Sequence, residues 1–349
     1  MVDTVGLVYG NIFVEKHKPA RYHPENPGRL RRALKSIVRY GIKSKVEWYT
    51  PYKASRKDLE CVHVKGYIGY VEELVAKAPA EIDPDTYVTN DTLDAALYAY
   101  GTAIHYSIKA VKEKKIFFGL VRPPGHHSGR EGKAMGASTQ GFCIFNNIGG
   151  AAKSLLDYGV ESIVILDFDA HHGNGTQEIF YRDDRVLDID IHQDPSTLYP
   201  FTGYPEQIGE GRGKGYSINF ILPSMAGDDV FAMVFSRVTE IIKNYNPEIV
   251  LVSAGFDGYQ FDGMTELLLT SHTYYNIGKF LKDLGKPCYI TLEGGYANGM
   301  EMGLVSFIAG LLGIDNPIRV QKTKSFKQAI DQARKYLEQT LSLIKGIWV

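Results

Sequence analysis

Three cysteines, Cys61, Cys143 and Cys288, are scattered over 349 residues, too few and too far apart for a disulfide framework. That scarcity fits a reducing cytoplasm. No uninterrupted apolar run reaches the ~18 residues of a membrane span, and Met1-Val2-Asp3-Thr4 lacks the charged and apolar regions of a signal peptide. An excess of charge is missing too. Lys and Arg total 39 against 40 Asp and Glu, a net charge of -1, which excludes a general attraction to nucleic acid or anionic lipid. The densest basic stretch, Arg29 to Arg39, is interleaved with Leu30, Leu34, Ile37 and Val38 at helical spacing, so its charges read as a solvated face. No repeat, low-complexity tract or Pro/Ser linker divides the chain, and residues 1–349 read as one domain.

What is present is a 44% hydrophobic composition arranged in short β-branched runs between longer helical patterns. Strands are predicted at Val5–Tyr9, Ile116–Val121, Ser162–Asp167, Val186–Ile191, Tyr216–Ile221, Ile249–Ser253 and Cys288–Leu292. Several are apolar nearly throughout, the mark of burial on both faces. Helices are predicted at Gly28–Tyr40, Thr92–Glu113, Phe145–Tyr158, Asp229–Tyr245, Ser271–Leu284, Met300–Leu312 and Ser325–Ile344. Asn90 or Asp91 is placed to cap the second, and Gly41 and Gly159 sit at C-terminal cap positions. The last helix, within 322–349, carries an apolar stripe suited to packing on the domain or to a homo-oligomer contact. The alternation implies an α/β fold with a central, mostly parallel sheet covered by helices on both faces.

Polar clusters follow five of these strands: Arg122-Pro123-Pro124-Gly125-His126-His127, Asp167 to Gly175, His192-Gln193-Asp194-Pro195, Ala254 to Gly258, and Glu293-Gly294-Gly295-Tyr296. Open α/β sheets bind ligands beyond the carboxyl ends of their strands, so five such loops should converge on one site. In Asp167-x-Asp169-x-His171 alternate residues point one way if the strand continues. Asp169 and His171 can then face one ion, with Asp257 the natural third ligand. Two carboxylates and an imidazole suit Zn²⁺ with a position left open, although iron(II) accepts the same set. His126 and His127 titrate near neutrality and can take a proton from the attacking water and return one to the leaving amine. Asp167 and Asn174 are plausible orienters. An ionised Asp167 favours a protonated His126, whereas a neutral Asn174 leaves His127 less basic and better suited as general base. Tyr296, after two glycines that permit tight backbone turns, could donate to a developing oxyanion.

On these residues the chain resembles the zinc-dependent histone deacetylase and acetylpolyamine amidohydrolase family, of arginase–deacetylase fold. The likeness runs from about His23 to Gly310 and rests on HPENPGR (His23–Arg29), RPPGHH, DFDAHHGNG, AGFDG and LEGGY, in family order. It implies one zinc per chain at Asp169, His171 and Asp257, catalysis by His126 and His127, and Tyr296 as carbonyl polariser. It further implies a narrow acyl tunnel at Phe142 and Tyr199, with Gly141 and Gly295, and a structural potassium near Asp167, Asp169, His171, Asp190 and Ile191. Three departures stand out: Asp190 where serine is frequent, Tyr199 where phenylalanine is common, and Asn174 where other branches carry aspartate. The last, with His192-x-Asp194-Pro195, leans toward class II, polyamine-like and prokaryotic members. Ser128–Gln140, rich in Gly and Ala, looks like a flexible rim loop or a plain surface loop.

The expected reaction is hydrolysis of an acyl amide, releasing an acetyl or longer acyl group from a protein lysine or a small acylated amine. Acetylpolyamine hydrolysis is the alternative, for which Glu81, Asp83, Asp85, Glu131, Glu206 and Glu210 are available as entrance carboxylates; no long insertion of the kind that narrows the polyamine enzymes is evident. A binuclear arginase-like site would want a carboxylate two residues beyond Asp257, where Tyr259 stands. A catalytically dead acyl-ligand binder fits poorly with a full set of site residues.

Overall fold

Strands that are apolar at every position are stable only when covered on both faces, and that is how the computed structural model, which describes residues 4–348, arranges them. The Met1-Val2-Asp3 part of the leader reading lies outside the described residues. The strands are β1 Val5–Val8, β2 Glu47–Tyr49, β3 Ala80–Asp83, β4 Thr86–Val88, β5 Ile116–Gly119, β6 Ile163–Asp167, β7 Val186–Gln193, β8 Ser217–Leu222, β9 Ile249–Ala254 and β10 Cys288–Leu292. One sheet has the order β2-β1-β5-β10-β9-β6-β7-β8, parallel at every pairing. The seven expected strands are present within one or two residues of their expected ends. β2, a half-exposed edge strand of three residues, and the antiparallel β3–β4 hairpin were not expected, because neither is long enough to show a period.

Successive strand residues feed opposite layers. Phe118, Leu166, Val252 and Ile290 join the core under the helices Gly28–Arg39, Asp228–Tyr245, Ser271–Leu284 and Leu304–Leu312. Phe117, Ile165, Leu251 and Tyr289 pack beneath Thr92–Glu113 and Asn147–Tyr158. Each fully buried Val, Leu, Ile or Phe contributes roughly 1.5–3 kcal/mol, so the sheet is the rigid base from which the loops project. The last helix, Lys327–Leu343, lies along β8, with Ala333 and Thr340 buried and the Thr340 hydroxyl donating to the Asn219 carbonyl. It covers the edge of the sheet. No helix among the described residues is long and apolar enough to cross a membrane.

Three local expectations need correction. Arg29 is not on a solvated face: it is 1% exposed and turned inward, while Val38 of the apolar stripe is exposed. Asp91 precedes the long helix but makes no side-chain cap; the Thr92 hydroxyl accepts from the Thr89 N–H instead. The stretch expected as a helix from Met300 opens with a π-helical turn, Gly299–Gly303, before the α-helix Leu304–Leu312.

Candidate active site

The five polar loops leave β5, β10, β9, β6 and β7, five adjacent strands, all at their carboxyl ends. Adjacency in the sheet, rather than in sequence, brings the loops together. Just beyond β6 and β9, the ligand atoms of Asp169, His171 and Asp257 all lie within 4.8 Å of one another, and all three residues are buried. His171 Nδ1 is 3.1 Å from Asp169 Oδ1 and 2.9 Å from Asp257 Oδ2. Backbone groups aim the carboxylates: Gly294 N–H donates to Asp169 Oδ2 at 2.7 Å and Ala170 N–H to Asp257 Oδ1 at 3.0 Å. A Cβ at Gly255 would overlap the Asp169 carboxylate, and one at Gly294 would overlap those of both aspartates. This cradle, with two carboxylate oxygens and one imidazole nitrogen converging, fits a divalent cation. Without a cation, burial disfavours a charged His171, but Asp257 and Asp169 outweigh it and raise the ring to about 10. The position between the carboxylates therefore holds a positive charge in either state.

His126 and His127 lie beside this set with ring centroids 4.0 Å apart. His126 Nδ1 is 2.9 Å from Asp167 Oδ2, and His127 Nδ1 is 2.8 Å from Asn174 Oδ1. Their proton affinities diverge. Burial disfavours a charged His126, yet the carboxylates of Asp167 and Asp169 prevail and hold the ring well above its usual value. Burial and the neighbouring rings of His126 and His171 push His127 well below it, and the Asn174 amide supplies no compensating charge. The His126–Asp167 pair thus keeps a proton while His127 stays neutral.

Tyr296 enters from the loop after β10. Its neighbour Gly295 is left-handed (φ 109), and a side chain there would meet Phe256 and Met300. Gly295 therefore does not line the cavity, contrary to the expectation of a tunnel residue; its turn lets the next ring reach inward while Gly295 itself backs onto the core. Arg29 fastens this turn by donating to the Gly295 carbonyl at 2.6 Å and to the Glu293 carbonyl, and its guanidinium lies 4.7 Å from the Tyr296 ring centre. Asp262 accepts from the N–H groups of Tyr296, Ala297 and Gly299 at 2.6, 2.8 and 2.8 Å. Burial, foremost, keeps the Tyr296 phenol well above its ordinary value, so it is a donor at neutral pH.

A cavity of about 330 Å³ reaches the set and is lined by Asp85, His127, Gly141, Phe142, His171, Leu198, Tyr199, Met264 and Tyr296. Gly141 (φ 54) belongs to this wall because a Cβ there would overlap the His127 ring and crowd Tyr199. The loop 128–140, expected as a flexible rim loop or a plain surface loop, is tied down: Glu178 accepts from the Arg130 and Met135 N–H groups, the Ala134 carbonyl accepts from Asn174, and the Thr139 carbonyl from the Tyr199 hydroxyl. Asp190, named for a potassium site, also has partners within the protein. Its carboxylate takes the Gly173 N–H at 2.7 Å and lies 2.6 Å from His192 Nδ1.

Residues 23–308 match the family model described as the histone deacetylase domain. The chain belongs to the histone deacetylase family. An uncharacterised protein of Methanocaldococcus jannaschii is 40% identical over 311 residues, 89% of this chain and 88% of the relative. A probable deacetylase of Archaeoglobus fulgidus is 38% identical over 323 residues, 88% of each. Acetylpolyamine amidohydrolase 1 of Pseudomonas aeruginosa is 42% identical over 198 residues, 56% of each chain. Among solved structures, the HD domain of HDA15 superposes with a TM-score of 0.88 at 28% identity, covering 100% of this chain and 96% of that one.

Several residues around this deacetylase-family site were not assigned roles from the sequence. Glu25 and Arg122, both 0% exposed, form a buried ion pair that locks the HPENPGR turn to the start of the RPPGHH loop. Glu293 Oε2 accepts from the Gly125 and His126 N–H groups at 2.7 and 3.2 Å, while its Oε1 has no partner among the described residues. Leu198 and Met264 line the cavity, alongside Asp85, one of the carboxylates expected at the entrance. Charges within a Pro/Gly-rich motif, as Glu25 and Arg29 are, were the one signal available; Asp262 and Met264 carried none.

Proposed function

We propose that the chain is a zinc-dependent amidohydrolase that removes an acetyl or longer acyl group from a lysine side chain or a related amine. The observation that carries this reading is the placement of two adjacent imidazoles against unlike partners, His126 on the Asp167 carboxylate and His127 on the Asn174 amide, beside the Asp169, His171 and Asp257 set. One zinc held by these three residues would supply Lewis acidity, lowering the pKa of water and polarising a carbonyl. Neutral His127 is then the acceptor for a proton from the attacking water, at its Nε2, because Nδ1 is committed to Asn174. The proton kept by His126 and Asp167 offsets negative charge and is available to the departing amine. Tyr296, neutral as a phenol, donates to the developing oxyanion. Phe142, Tyr199 and Gly141 would hold the acylated arm in the cavity and exclude water.

A structural potassium ion beside Asp167, Asp169, His171, Asp190 and Ile191 remains part of this reading. It draws support from crowding: burial, with Asp190 and Asp167 as neighbours, pushes Asp188 well above its usual value, and a cation would offset that accumulation. Residues 1–349 are read as one catalytic unit. Tyr259 supports a single catalytic ion, since it is buried and stacked on Tyr274 where a second ion would need a carboxylate. Acetylpolyamine hydrolysis is the second reading, favoured by Asp85 in the cavity wall and by the amidohydrolase relative.

The test is turnover of acetyl to long-chain acyl amides of lysine peptides and of polyamines by zinc-loaded protein. Tyr296→Phe and His127→Ala should lose nearly all turnover on an acetyl-lysine amide while keeping zinc. Equal activity of Tyr296→Phe and the parent would refute the oxyanion role.

A further inference from the structure

His192-Gln193-Asp194-Pro195 is one of the five polar clusters at strand ends, yet none of its residues lines the cavity. His192 pairs with Asp190 and with the Gly203 carbonyl, and Gln193 with Thr197 and the Glu266 N–H. Asp194 reaches the last helix instead. It is 9% exposed, and its Oδ2 accepts from the Tyr336 hydroxyl at 2.5 Å.

Asp194 also opens the connection 194–216 between β7 and β8, the segment that carries Leu198 and Tyr199 into the cavity wall. Its Oδ1 accepts from the Ser196 N–H at 2.9 Å and hydroxyl at 2.7 Å. Its carbonyl accepts from the Thr197 N–H and hydroxyl, both at 2.9 Å, and the Leu198 carbonyl from the Phe201 N–H at 3.1 Å. One turn thus joins the Asp194 side chain to the wall. A loop places its functional groups only as firmly as its supports hold it. Much of the support for this connection comes from the C-terminal segment. Gln339 donates to Glu206, and the Trp348 indole N–H to the Gly215 carbonyl at 2.6 Å. The Thr340 hydroxyl donates to the carbonyl of Asn219, whose side chain in turn holds the Tyr204 and Gln207 carbonyls at 3.3 and 3.2 Å. Of these ties, Tyr336 to Asp194 lies nearest in sequence to Leu198 and Tyr199.

We propose that Tyr336 is a positioning residue: acting through Asp194, it fixes the wall formed by Leu198 and Tyr199 and so sets how tightly the acylated arm is held. This rests on the acyl-amide hydrolase reading of the cavity. Removing the hydroxyl leaves a buried carboxylate oxygen without its donor, and the turn that depends on Asp194 loosens. His127 keeps its own partner, Asn174 at 2.8 Å, so the proton acceptor stays in place. The wall touches the arm in the ground state and the transition state alike, so the loss falls on KM.

The experiment compares metal-loaded parent, Tyr336→Phe, Asp194→Ala and the double variant on an acetyl-lysine peptide and on acetylputrescine. Amide hydrogen exchange of the same proteins is followed by mass spectrometry. Tyr336→Phe should raise KM by ~fivefold or more for whichever substrate the parent turns over, with kcat within about twofold. Exchange should quicken across 194–203, where the Thr197, Phe201 and Gly203 N–H groups are hydrogen-bonded, and keep the parent rate in β6, β9 and β10. Adding Tyr336→Phe to Asp194→Ala should change KM by less than about twofold, because both act at one contact. An unchanged KM, a fall in kcat alone, or effects that multiply in the double variant would overturn the proposal. So would exchange that quickens throughout the sheet, which would make Tyr336 a prop of the whole fold. If the parent turns over neither substrate, the hydrolase reading fails. Exchange then decides the tether separately: quickening confined to 194–203 supports it, and parent-like exchange there overturns it.

Discussion

The carboxylate of Asp262 holds the backbone N–H of Tyr296 at 2.6 Å, tying the phenol that enters the cavity to the loop that follows Asp257. Two further N–H groups, of Ala297 and Gly299, converge on the same carboxylate. An amide in its place cannot accept all three, because one of its two heads donates.

Asp262→Asn should therefore lower kcat by about 10- to 100-fold, the cost of misplacing a reacting group, while metal content stays at the parent level. Burial raises the Asp262 carboxyl to about 6 despite the three N–H groups that favour its charge. Only the ionised form accepts all three, so turnover of the parent should fall as pH drops below that value. Steady-state kinetics across pH with parallel metal analysis check this; kcat within twofold of the parent would remove Asp262 from this role.

Asn174→Asp tests the tuning of the histidine pair. A carboxylate 2.8 Å from His127 Nδ1 favours the imidazolium, a change of about 1–3 pKa units for a close opposite charge. Since His127 acts neutral, raising its pKa moves the ascending limb of the pH–rate profile to higher pH. The kcat/KM profile reads this directly, and a limb that stays in place would show that His127 is not the group titrating there.

Metal uptake should release a proton. In the metal-free protein His171 is raised to about 10 by its two carboxylate neighbours, after burial is overcome, whereas a ligating imidazole is neutral. Below that pH the cation displaces the proton, and the apparent affinity should rise about tenfold per pH unit between roughly pH 7 and 9. Calorimetric titration of Zn²⁺ in buffers of differing ionisation heat measures the release, and uptake independent of the buffer would contradict it.

Glu25→Gln addresses the fold beneath the site. Burial alone would raise this carboxyl, but Arg122, His17 and Arg29 hold it well below the usual carboxylate range. A depressed folded-state pKa contributes stability that is present above the unfolded value of about 4.3 and is lost as pH falls toward the folded value. Removing the charge leaves Arg122 buried and unpaired, which costs about 3–5 kcal/mol. Denaturant unfolding at pH 7 should show that loss, and the difference between parent and variant should shrink in acid. A variant as stable as the parent would mean that the pair contributes nothing net.

Strands and long helices were legible because burial on two faces writes itself as unbroken runs such as Ile163–Asp167 and Ile249–Ala254. The half-exposed β2 and the short β3–β4 hairpin left no period to read. Asp169, His171, Asp257, His126 and His127 were legible as candidates because dense His and Asp runs at strand ends have few structural explanations. Arg29 was misread because its neighbours follow helical spacing, and only the packed fold turns its guanidinium inward against Gly295 and Tyr296.

By itself the sequence determined the parallel α/β layering and which residues could bind metal or move protons, since period and residue chemistry are local properties. The tertiary structure alone decided which carboxyl ends are neighbours, β5-β10-β9-β6-β7 in an order unrelated to the chain, and hence which groups meet. It also brought the orienters read from the sequence within reach, Asp167 2.9 Å from His126 and Asn174 2.8 Å from His127. Proton affinity in a buried site depends on which charge lies within a few ångströms, and only the packed chain brings those charges together.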